Sequence, residues 1–239
     1  MGFCSDVLGQ NVDLFVVPEE YTKKEGPGDG MLYPFDPAAF GNITGLRLQQ
    51  LYEGALFPEY QNGAIIESIA FRLSGSATEG NRSFDVTFPD VEVRISTTSK
   101  SVGGMREQFA SNTGADEVIV FKSPLRWQAT FTPGQVQAMS VIIPFSVPFV
   151  YQPAKGSLLI DISVREMRQH TGQVDLAIDQ HLEVVRGIIP NQRGETFPGA
   201  GLITRFGITA VPEPTTTLLM IVSVATVGIT LRLQRRLRK

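Results

Sequence analysis

Cysteine, histidine and tryptophan are scarce in this chain, and the scarcity excludes several kinds of chemistry. Cys4 is the single cysteine among 239 residues, so no disulfide can form within the chain and its stability has to come from packing. The two histidines, His170 and His181, lack the His-x-His or His-x-x-x-His spacing typical of metal ligands. The sequence also lacks a Gly-x-Ser-x-Gly nucleophile motif and a Gly-Lys-Ser/Thr phosphate loop. It therefore predicts neither an enzyme nor a protein with a bound cofactor.

Positive charge is scarce in most of the chain and concentrated at its end. Five of the 21 basic residues follow residue 231, namely Arg232, Arg235, Arg236, Arg238 and Lys239. The remaining sequence holds 16 basic and 24 acidic residues, a net charge of −8. A body of this charge repels polyanions, so nucleic acid is not an expected partner.

Long helical patterns are missing before residue 211, and short runs of alternating residues take their place. Residues 157–165 give the clearest run, because Leu158 and Ile160 fall on one face while Leu159 and Asp161 fall on the other. Residues 12–17 have the pattern of an edge strand. Further strands are predicted at residues 65–73, 83–96, 117–121, 136–145, 174–178, 182–185 and 202–208.

Two local features qualify this pattern. Pro89 and Asp90 are expected to break or bulge the strand at 83–96, because proline cannot donate a ladder hydrogen bond. Residues 41–56 are expected to hold a short amphipathic turn around three leucines, Leu46, Leu48 and Leu51.

Many short strands, 15 prolines and 23 glycines together predict an all-β protein. We expect an antiparallel β-sandwich or jelly-roll-like ectodomain over residues 41–210. Residues 1–40 are expected to form an irregular lead-in that belongs to the mature ectodomain.

A search of this body for reactive or binding groups yields weak candidates. Four acids occur in predicted strands, where outward acids on a sandwich are ordinary, and a glycosidase would need two of them facing each other: Asp85, Asp90, Glu92 and Asp161. The histidines could meet a metal with Asp175 or Asp179, although solvated surface is the simpler interpretation. A structural calcium ion held by loop oxygens remains open around Asp116 and Glu117 or around Asp175 and Asp179.

Trp127 is the single tryptophan, and two interpretations of it stay open. Tryptophan lines sugar-binding platforms in carbohydrate-binding sandwiches, and it also packs cores and rims. An exposed groove at Trp127 would favour a carbohydrate-binding or carbohydrate-cleaving module.

The end of the chain has three parts in a fixed order. Val211, Pro212, Glu213 and Pro214 come first, and the prolines disfavour helix on their N-terminal side. Residues 215–231, from Thr215 to Leu231, carry no charge and as a helix would span roughly 25 Å of a bilayer core about 30 Å thick. The basic residues 232–239 are expected to stay in the cytoplasm, which leaves the body outside.

This ending resembles the PEP-CTERM sorting signal of exported bacterial proteins. The resemblance implies that an exosortase, an integral-membrane cysteine transpeptidase, recognises the motif at 211–214, cuts near it and passes the body to an extracellular carrier. Stretches of the body, among them residues 95–99, 109–117, 148–162 and 201–207, are similar to stretches in PEP-CTERM surface proteins of environmental bacteria, to which no activity is attached.

The resemblance also sets the expected location and partners. The chain is expected in the inner membrane during transit, then in the envelope or outside the cell, with a structural or adhesive role. Its expected partners are the exosortase, the bacterial membrane and an extracellular polysaccharide. The alternatives are a carbohydrate-binding or carbohydrate-active module delivered to the cell surface, and a permanently anchored single-span membrane protein.

Export requires an entry signal, and residues 1–30 do not show one. They have no basic start followed by an apolar stretch. We therefore expect the true start to lie upstream of Met1, with the signal peptide missing from this sequence.

Overall fold

Ten β-strands and six short 3₁₀ turns form the computed structural model, which describes residues 12–27, 30–41, 43–75, 82–166 and 170–211. The strands are β1 Asp13–Val17, β2 Gly45–Tyr52, β3 Ala64–Arg72, β4 Arg82–Thr98, β5 Val118–Phe131, β6 Met139–Tyr151, β7 Ser157–Arg165, β8 Leu176–Ile189, β9 Glu195–Leu202 and β10 Thr204–Ala210. The 3₁₀ turns are Glu19–Tyr21, Pro37–Phe40, Gly54–Leu56, Pro58–Tyr60, Phe109–Ser111 and Pro153–Lys155. No α-helix occurs in these described ranges, so the all-β prediction is confirmed.

The strands form two antiparallel sheets that share one apolar core. The smaller sheet has the order β1-β10-β3-β6 and the larger one the order β5-β4-β7-β2-β8-β9. Ile69 and Phe206 of the smaller sheet belong to the same buried cluster as Leu48, Val93 and Ile160 of the larger sheet. The two sheets therefore pack face to face, which is how antiparallel sheets bury one face each.

Alternation along β7 places its side chains as the sequence predicts. Leu158 and Ile160 lie in the shared core, whereas Leu159 lies in a second apolar cluster on the outer side of the sheet. Pro89 and Asp90 produce a register shift between Phe88 and Val91 where β4 pairs with β5. The predicted interruption is thus a bulge within one long strand.

The turn expected within residues 41–56 is wrong, because residues 45–52 form strand β2 between β7 and β8. Its inner face carries Leu46 and Leu48, whereas Leu51 faces outward. The strand lies in the middle of the larger sheet and is buried on both faces, so its sequence does not show simple alternation.

Described residues before position 41 take part in the core. Strand β1 pairs with β10 at the edge of the smaller sheet, as the pattern at 12–17 predicts. Phe35 is fully buried, and its ring centroid lies 5.6 Å from that of Phe71 and 5.8 Å from that of Trp127. This segment therefore helps to close the sandwich.

The predicted membrane span and basic tail, residues 215–239, lie outside the described residues, as do Pro212, Glu213 and Pro214. Within the described ranges, no helix has the length and apolar character needed to cross a membrane.

Candidate ligand-binding cleft

The segment that joins β4 to β5, residues 99–117, lies over the outer face of the larger sheet. Met105 and Phe109 from this segment pack with Leu51, Leu159 and Val185, which project outward from β2, β7 and β8. The five side chains form an apolar cluster separate from the main core. This cluster explains why Leu159 and Leu51 face away from the sandwich interior without being exposed.

Buried polar side chains fasten the covering segment to the sheet. The Glu183 carboxylate accepts hydrogen bonds from the backbone N–H groups of Gly103, at 2.7 Å, and Met105, at 3.3 Å. Burial raises the pKa of Glu183, although these N–H groups act in the opposite direction. Asn112 donates to the Gln49 side-chain oxygen at 2.9 Å. The covering segment is therefore held by hydrogen bonds as well as by apolar contact.

A cleft of about 400 Å³ opens beside the covering segment. Its floor is formed by strands β2, β4 and β7, and one wall by residues of the covering segment. The lining residues are Arg47, Glu92, Arg94, Ala110, Thr113, Glu117, Asp161, Ser163, Arg165 and Gln192. Three of them are cationic and three are anionic, so the lining carries no net charge.

Arg47 and Asp161 form the most enclosed ion pair of the cleft. The guanidinium makes two hydrogen bonds to the carboxylate, at 2.9 Å from Nε and 2.6 Å from Nη2. Gln49 adds a third donor at 2.7 Å, and the Arg47 guanidinium lies 4.4 Å from the centre of the Phe109 ring. Every polar atom of the Asp161 carboxylate therefore has a partner within the protein.

Glu92 and Arg94 form the second charged group. Arg94 contacts Glu92 at 2.8 Å and Glu117 at 2.9 Å, and Lys122 contacts the other oxygen of Glu92 at 2.8 Å. Burial alone raises the pKa of Glu92, but the hydrogen bonds from Lys122 and Arg94 outweigh burial and leave the pKa lowered. Glu92 is therefore ionised at neutral pH.

The cleft does bring two of the predicted acids to one face. Glu92 lies opposite Ser163, and Asp161 lies opposite Arg94, so the two acids are diagonal neighbours, at a separation of about 7–8 Å in such pairs. A glycoside-cleaving pair needs one acid that keeps its proton at neutral pH. Glu92 has a lowered pKa, and both carboxylate oxygens of Asp161 accept hydrogen bonds from Arg47 or Gln49. This arrangement suits the binding of a polar ligand better than acid catalysis.

The other two strand acids lie elsewhere in the fold. Asp85 forms a two-point ion pair with Arg126 on the exposed side of β4 and β5, and that contact lowers its pKa. Asp90 contacts Arg165 at 3.3 Å, next to the rim of the cleft. Neither acid faces a second carboxylate across a groove.

The two histidines do not meet each other or a shared acid. His170 contacts the buried Asp36 at 3.2 Å, and His181 contacts Glu53 at 2.9 Å. The hydrogen bond from His181 and one from the backbone of Val102 lower the pKa of Glu53. The metal site considered for His170 and His181 with Asp175 or Asp179 is therefore not assembled.

The acids considered for calcium are engaged by protein donors. Asp116 accepts the backbone N–H of Thr97 at 2.7 Å, and Glu117 contacts Arg94. Asp179 accepts the backbone N–H of His181, and Asp175 pairs with Arg72. Across the described ranges, no group of three or more His, Cys, Asp or Glu side chains is arranged to hold a metal ion.

Trp127 is not a sugar platform, because its side chain is fully buried in the main core. The indole stacks on Phe88 with ring centroids 6.1 Å apart, and its N–H donates to the hydroxyl of Ser140 at 2.9 Å. The interpretation as core packing is therefore the correct one, and an exposed groove at Trp127 is excluded.

Tryptophan fluorescence tests this placement. We expect the emission of Trp127, the single tryptophan, to be blue-shifted in the folded protein and insensitive to iodide, because the indole does not reach solvent. Emission should shift to the red and become quenchable by iodide only on unfolding in urea. Iodide quenching in the native state equal to that of free tryptophan would contradict the buried position.

The sequence analysis singled out the acids Glu92, Asp161 and Glu117 but missed the other residues that shape the cleft. Arg47 and Gln49 lie in a segment expected to be a turn, and the segment 99–117 gave no strand or helix pattern. One signal was available in β7. Leu159 shares its outward face with Asp161, and a leucine on that face would meet water unless another segment covered it. An outward leucine of this kind indicates a covering segment, and Met105 and Phe109 are apolar residues that could provide it.

Val211 is the one predicted sorting residue that the structure describes. Its backbone N–H donates to the carbonyl oxygen of Gly63 at 3.1 Å, directly after the end of β10. Comparison with protein-family models, with curated proteins and with solved structures found no match for this chain.

Proposed function

We propose that this chain is an exported bacterial protein that an exosortase processes at a C-terminal sorting signal and that is displayed in the envelope or extracellular matrix. The observation that carries the proposal is the order of Val211-Pro212-Glu213-Pro214, the uncharged segment 215–231 and the basic end. The fold supports it, because β10, the last strand in the described ranges, ends at Ala210, one residue before the motif begins. Cutting near the motif would therefore release the body without removing any of the ten described strands.

The proposed fold of the ectodomain is a jelly roll with one added hairpin. The strand order β1-β10-β3-β6 against β5-β4-β7-β2 is the arrangement of eight jelly-roll strands when β8 and β9 are counted as an insertion. Residues 215–231 are proposed to follow as a single transmembrane helix. Jelly rolls serve many functions, so the fold supports a display role without naming a ligand.

A structural or adhesive role fits the outer surface of the larger sheet. Its charged groups are paired with one another, and the cleft lining is electrically balanced. Carbohydrate binding is the second candidate, because hydroxyl groups can share hydrogen bonds with such arginine and carboxylate pairs. An extracellular polysaccharide is the partner that both candidates would take.

Sorting is tested by changing Glu213 to glutamine in one variant and the five basic residues after Leu231 to alanine in another. We expect the first variant to accumulate as the unprocessed chain, because the motif loses its carboxylate. We expect the second to be misoriented or incompletely retained, because cytoplasmic cations fix the orientation of a span. An immunoblot for the body in membrane and extracellular fractions measures both results.

A matched control changes an exposed acid of the body, Glu107, to glutamine. This control should be processed like the unchanged chain. An unchanged fragment pattern and location in both sorting variants would remove the processing proposal and leave a permanently anchored membrane protein.

A further inference from the structure

The outer face of the smaller sheet carries several exposed apolar side chains and few charges, in contrast to the charged outer face of the larger sheet. Leu14 on β1 is 63% exposed, and Val150 and Ile142 on β6 are 58% and 50% exposed. Val12, beside β1, is also exposed. Exposed apolar side chains that share one face are typical of a surface that contacts a partner or a membrane.

The strand register places Val12 and Val150 at one end of the sheet, and Ile142 farther along it, opposite Ala70. Ile65 lies opposite both Thr209 of β10 and Val150 of β6, so the three residues form one row across the sheet. Val12 reaches the same region, since its Cγ1 lies 3.4 Å from the position that a Cβ on Gly207 would take. This row lies one residue before Ala210, where the chain leaves β10.

The distance between this row and the proposed span is short. Five Cα-to-Cα steps separate Ala210 from Thr215, the first residue of the uncharged segment, and fully extended they cover about 17 Å. An anchored body is therefore held close to the bilayer, with the apolar row beside the anchoring point.

One cation, Arg205, and one acid, Glu67, lie within the apolar face; Glu67 accepts a hydrogen bond from Thr209 Oγ1 at 3.4 Å. Arg205 of β10 is opposite Val16 on one side and Ala70 on the other. No carboxylate within the described ranges lies at ion-pair distance from its guanidinium, and burial lowers its pKa. A guanidinium flanked by apolar neighbours matches the interface of a phospholipid bilayer, where phosphate groups border hydrocarbon.

We propose that the apolar face, formed by Val12, Leu14, Ile65, Ile142 and Val150 around Arg205, docks on the outer leaflet of the membrane in which the chain is anchored. The inference rests on the proposed function in that residues 215–231 supply the anchor. Docking on this side directs the charged cleft of the opposite sheet away from the bilayer. The ligand-facing surface is then presented to the exterior while the chain is still attached.

The test uses the full chain reconstituted in vesicles of phosphatidylethanolamine and phosphatidylglycerol. With Cys4 changed to serine, single cysteines are introduced as Leu14→Cys and Val150→Cys on the apolar face. Thr130→Cys on the exposed side of β5 is the matched control. Each cysteine carries an environment-sensitive fluorophore. We expect the emission of labels at 14 and 150 to shift to the blue, to be quenched by lipid-borne quenchers and to be protected from aqueous iodide. The emission of the label at 130 should show no blue shift and no lipid quenching, and aqueous iodide should quench it.

Alkaline washing of the vesicles separates failure of the anchor from failure of docking. Chains removed by the wash would overturn both the membrane span and the docking. Chains that resist the wash while the labels at 14 and 150 remain as open to iodide as the label at 130 would overturn docking alone. Oxidative cross-linking of Leu14→Cys between two copies, without lipid quenching, would assign the face to a copy-to-copy contact and would also overturn docking on lipid.

Discussion

Replacing Arg72 with methionine is expected to lower the free energy of unfolding by about 3–5 kcal/mol at pH 7, because the change leaves a buried carboxylate without its cation. Arg72 Nε lies 2.8 Å from Asp175 Oδ2, and the two side chains are 2% and 1% exposed. The guanidinium also donates to the carbonyl oxygen of Lys24 at 2.6 Å, which ties the described part of the lead-in to β3. Urea denaturation of the chain truncated after Val211, where the described core is complete, measures the loss.

The size of this effect should depend on pH. Burial, with a smaller contribution from the nearby Glu25 carboxylate, raises the pKa of Asp175 to about 6, while Arg72 opposes the increase. Without Arg72 the pKa of Asp175 in the folded state rises further, whereas the pKa of Asp175 in the unfolded state stays at about 4. The folded state then holds a proton that the unfolded state has lost, so stability falls as pH rises through this range. The gap between the unchanged protein and Arg72→Met should therefore be small at pH 5 and wide at pH 8.

Two controls separate the orphaned charge from other effects of the substitution. The double variant Arg72→Met with Asp175→Asn has no buried charge left at this point, and we expect it to recover much of the lost stability. Lys24→Met removes an exposed cation that pairs with Glu20, and its effect should stay within about 1 kcal/mol. A loss for Arg72→Met that is the same at pH 5 and pH 8 would show that lost packing, and not the unpaired carboxylate, is responsible.

Regular alternation made strands such as β7 and the edge strand β1 predictable from the sequence, whereas β2, β9 and the second half of β5 were not. The alternation in β7 gives its position directly. In β5 the prediction ended at Phe121, because Pro124 interrupts the pattern; the structure continues the strand to Phe131 at the edge of the sheet, where proline costs no ladder hydrogen bond. Strand β9 was missed for the same reason, since it is the other edge and contains Pro198.

Strand β2 was missed for a different physical reason. Gln49 and Gln50 are both buried, and two adjacent polar residues do not look like the centre of a sheet. Gln50 exchanges hydrogen bonds with the backbone of Leu202 at 2.8 and 2.9 Å, while Gln49 bonds Asp161 and the carbonyl oxygen of Phe109. These partners are distant in sequence, so local pattern alone cannot show that the polar groups are satisfied. The enclosure of the cleft was unpredictable on the same grounds, because its wall comes from residues 99–117, which are distant in sequence from Asp161 on its floor.

The two outer faces of the sandwich differ in a way that composition conceals. One face carries exposed apolar side chains with two charged residues, Arg205 and Glu67, and the other carries the paired charges of the cleft. The separation arises from strand register, which places Leu14, Ile142 and Val150 outward on the smaller sheet and Arg47, Arg94 and Asp161 outward on the larger one. Such polarity suits a body that is held beside a membrane and presents its charged side to the surroundings.

Replacing Phe109 with alanine is expected to lower the free energy of unfolding by about 3–5 kcal/mol, the usual cost of deleting a buried phenylalanine. Phe109 is fully buried, it packs with Leu51, Leu159 and Val185, and its ring lies under the guanidinium of Arg47. The main core between the sheets does not contain Phe109, so the damage should concentrate in the covering segment. Hydrogen exchange should show faster exchange of the amides of residues 99–117, with protection of the β7 and β4 amides nearly retained, because these strands pair with each other within the sheet.

The cleft should be lost together with the covering segment, because Ala110, Thr113 and Glu117 form its wall. Ser111→Ala is the matched control: Ser111 belongs to the same 3₁₀ turn but is exposed, so its effect on stability should be within about 0.5 kcal/mol. If Phe109→Ala lost the expected stability but left exchange in residues 99–117 unchanged, the covering segment would have to be held by Glu183 and Asn112 alone. The hydrogen bonds of Glu183 and Asn112 would then hold the segment independently of the apolar cluster. We expect them to fail together, because Phe109 contributes both its ring to the cluster and its backbone carbonyl oxygen to Gln49, at 3.1 Å, which in turn holds Asn112.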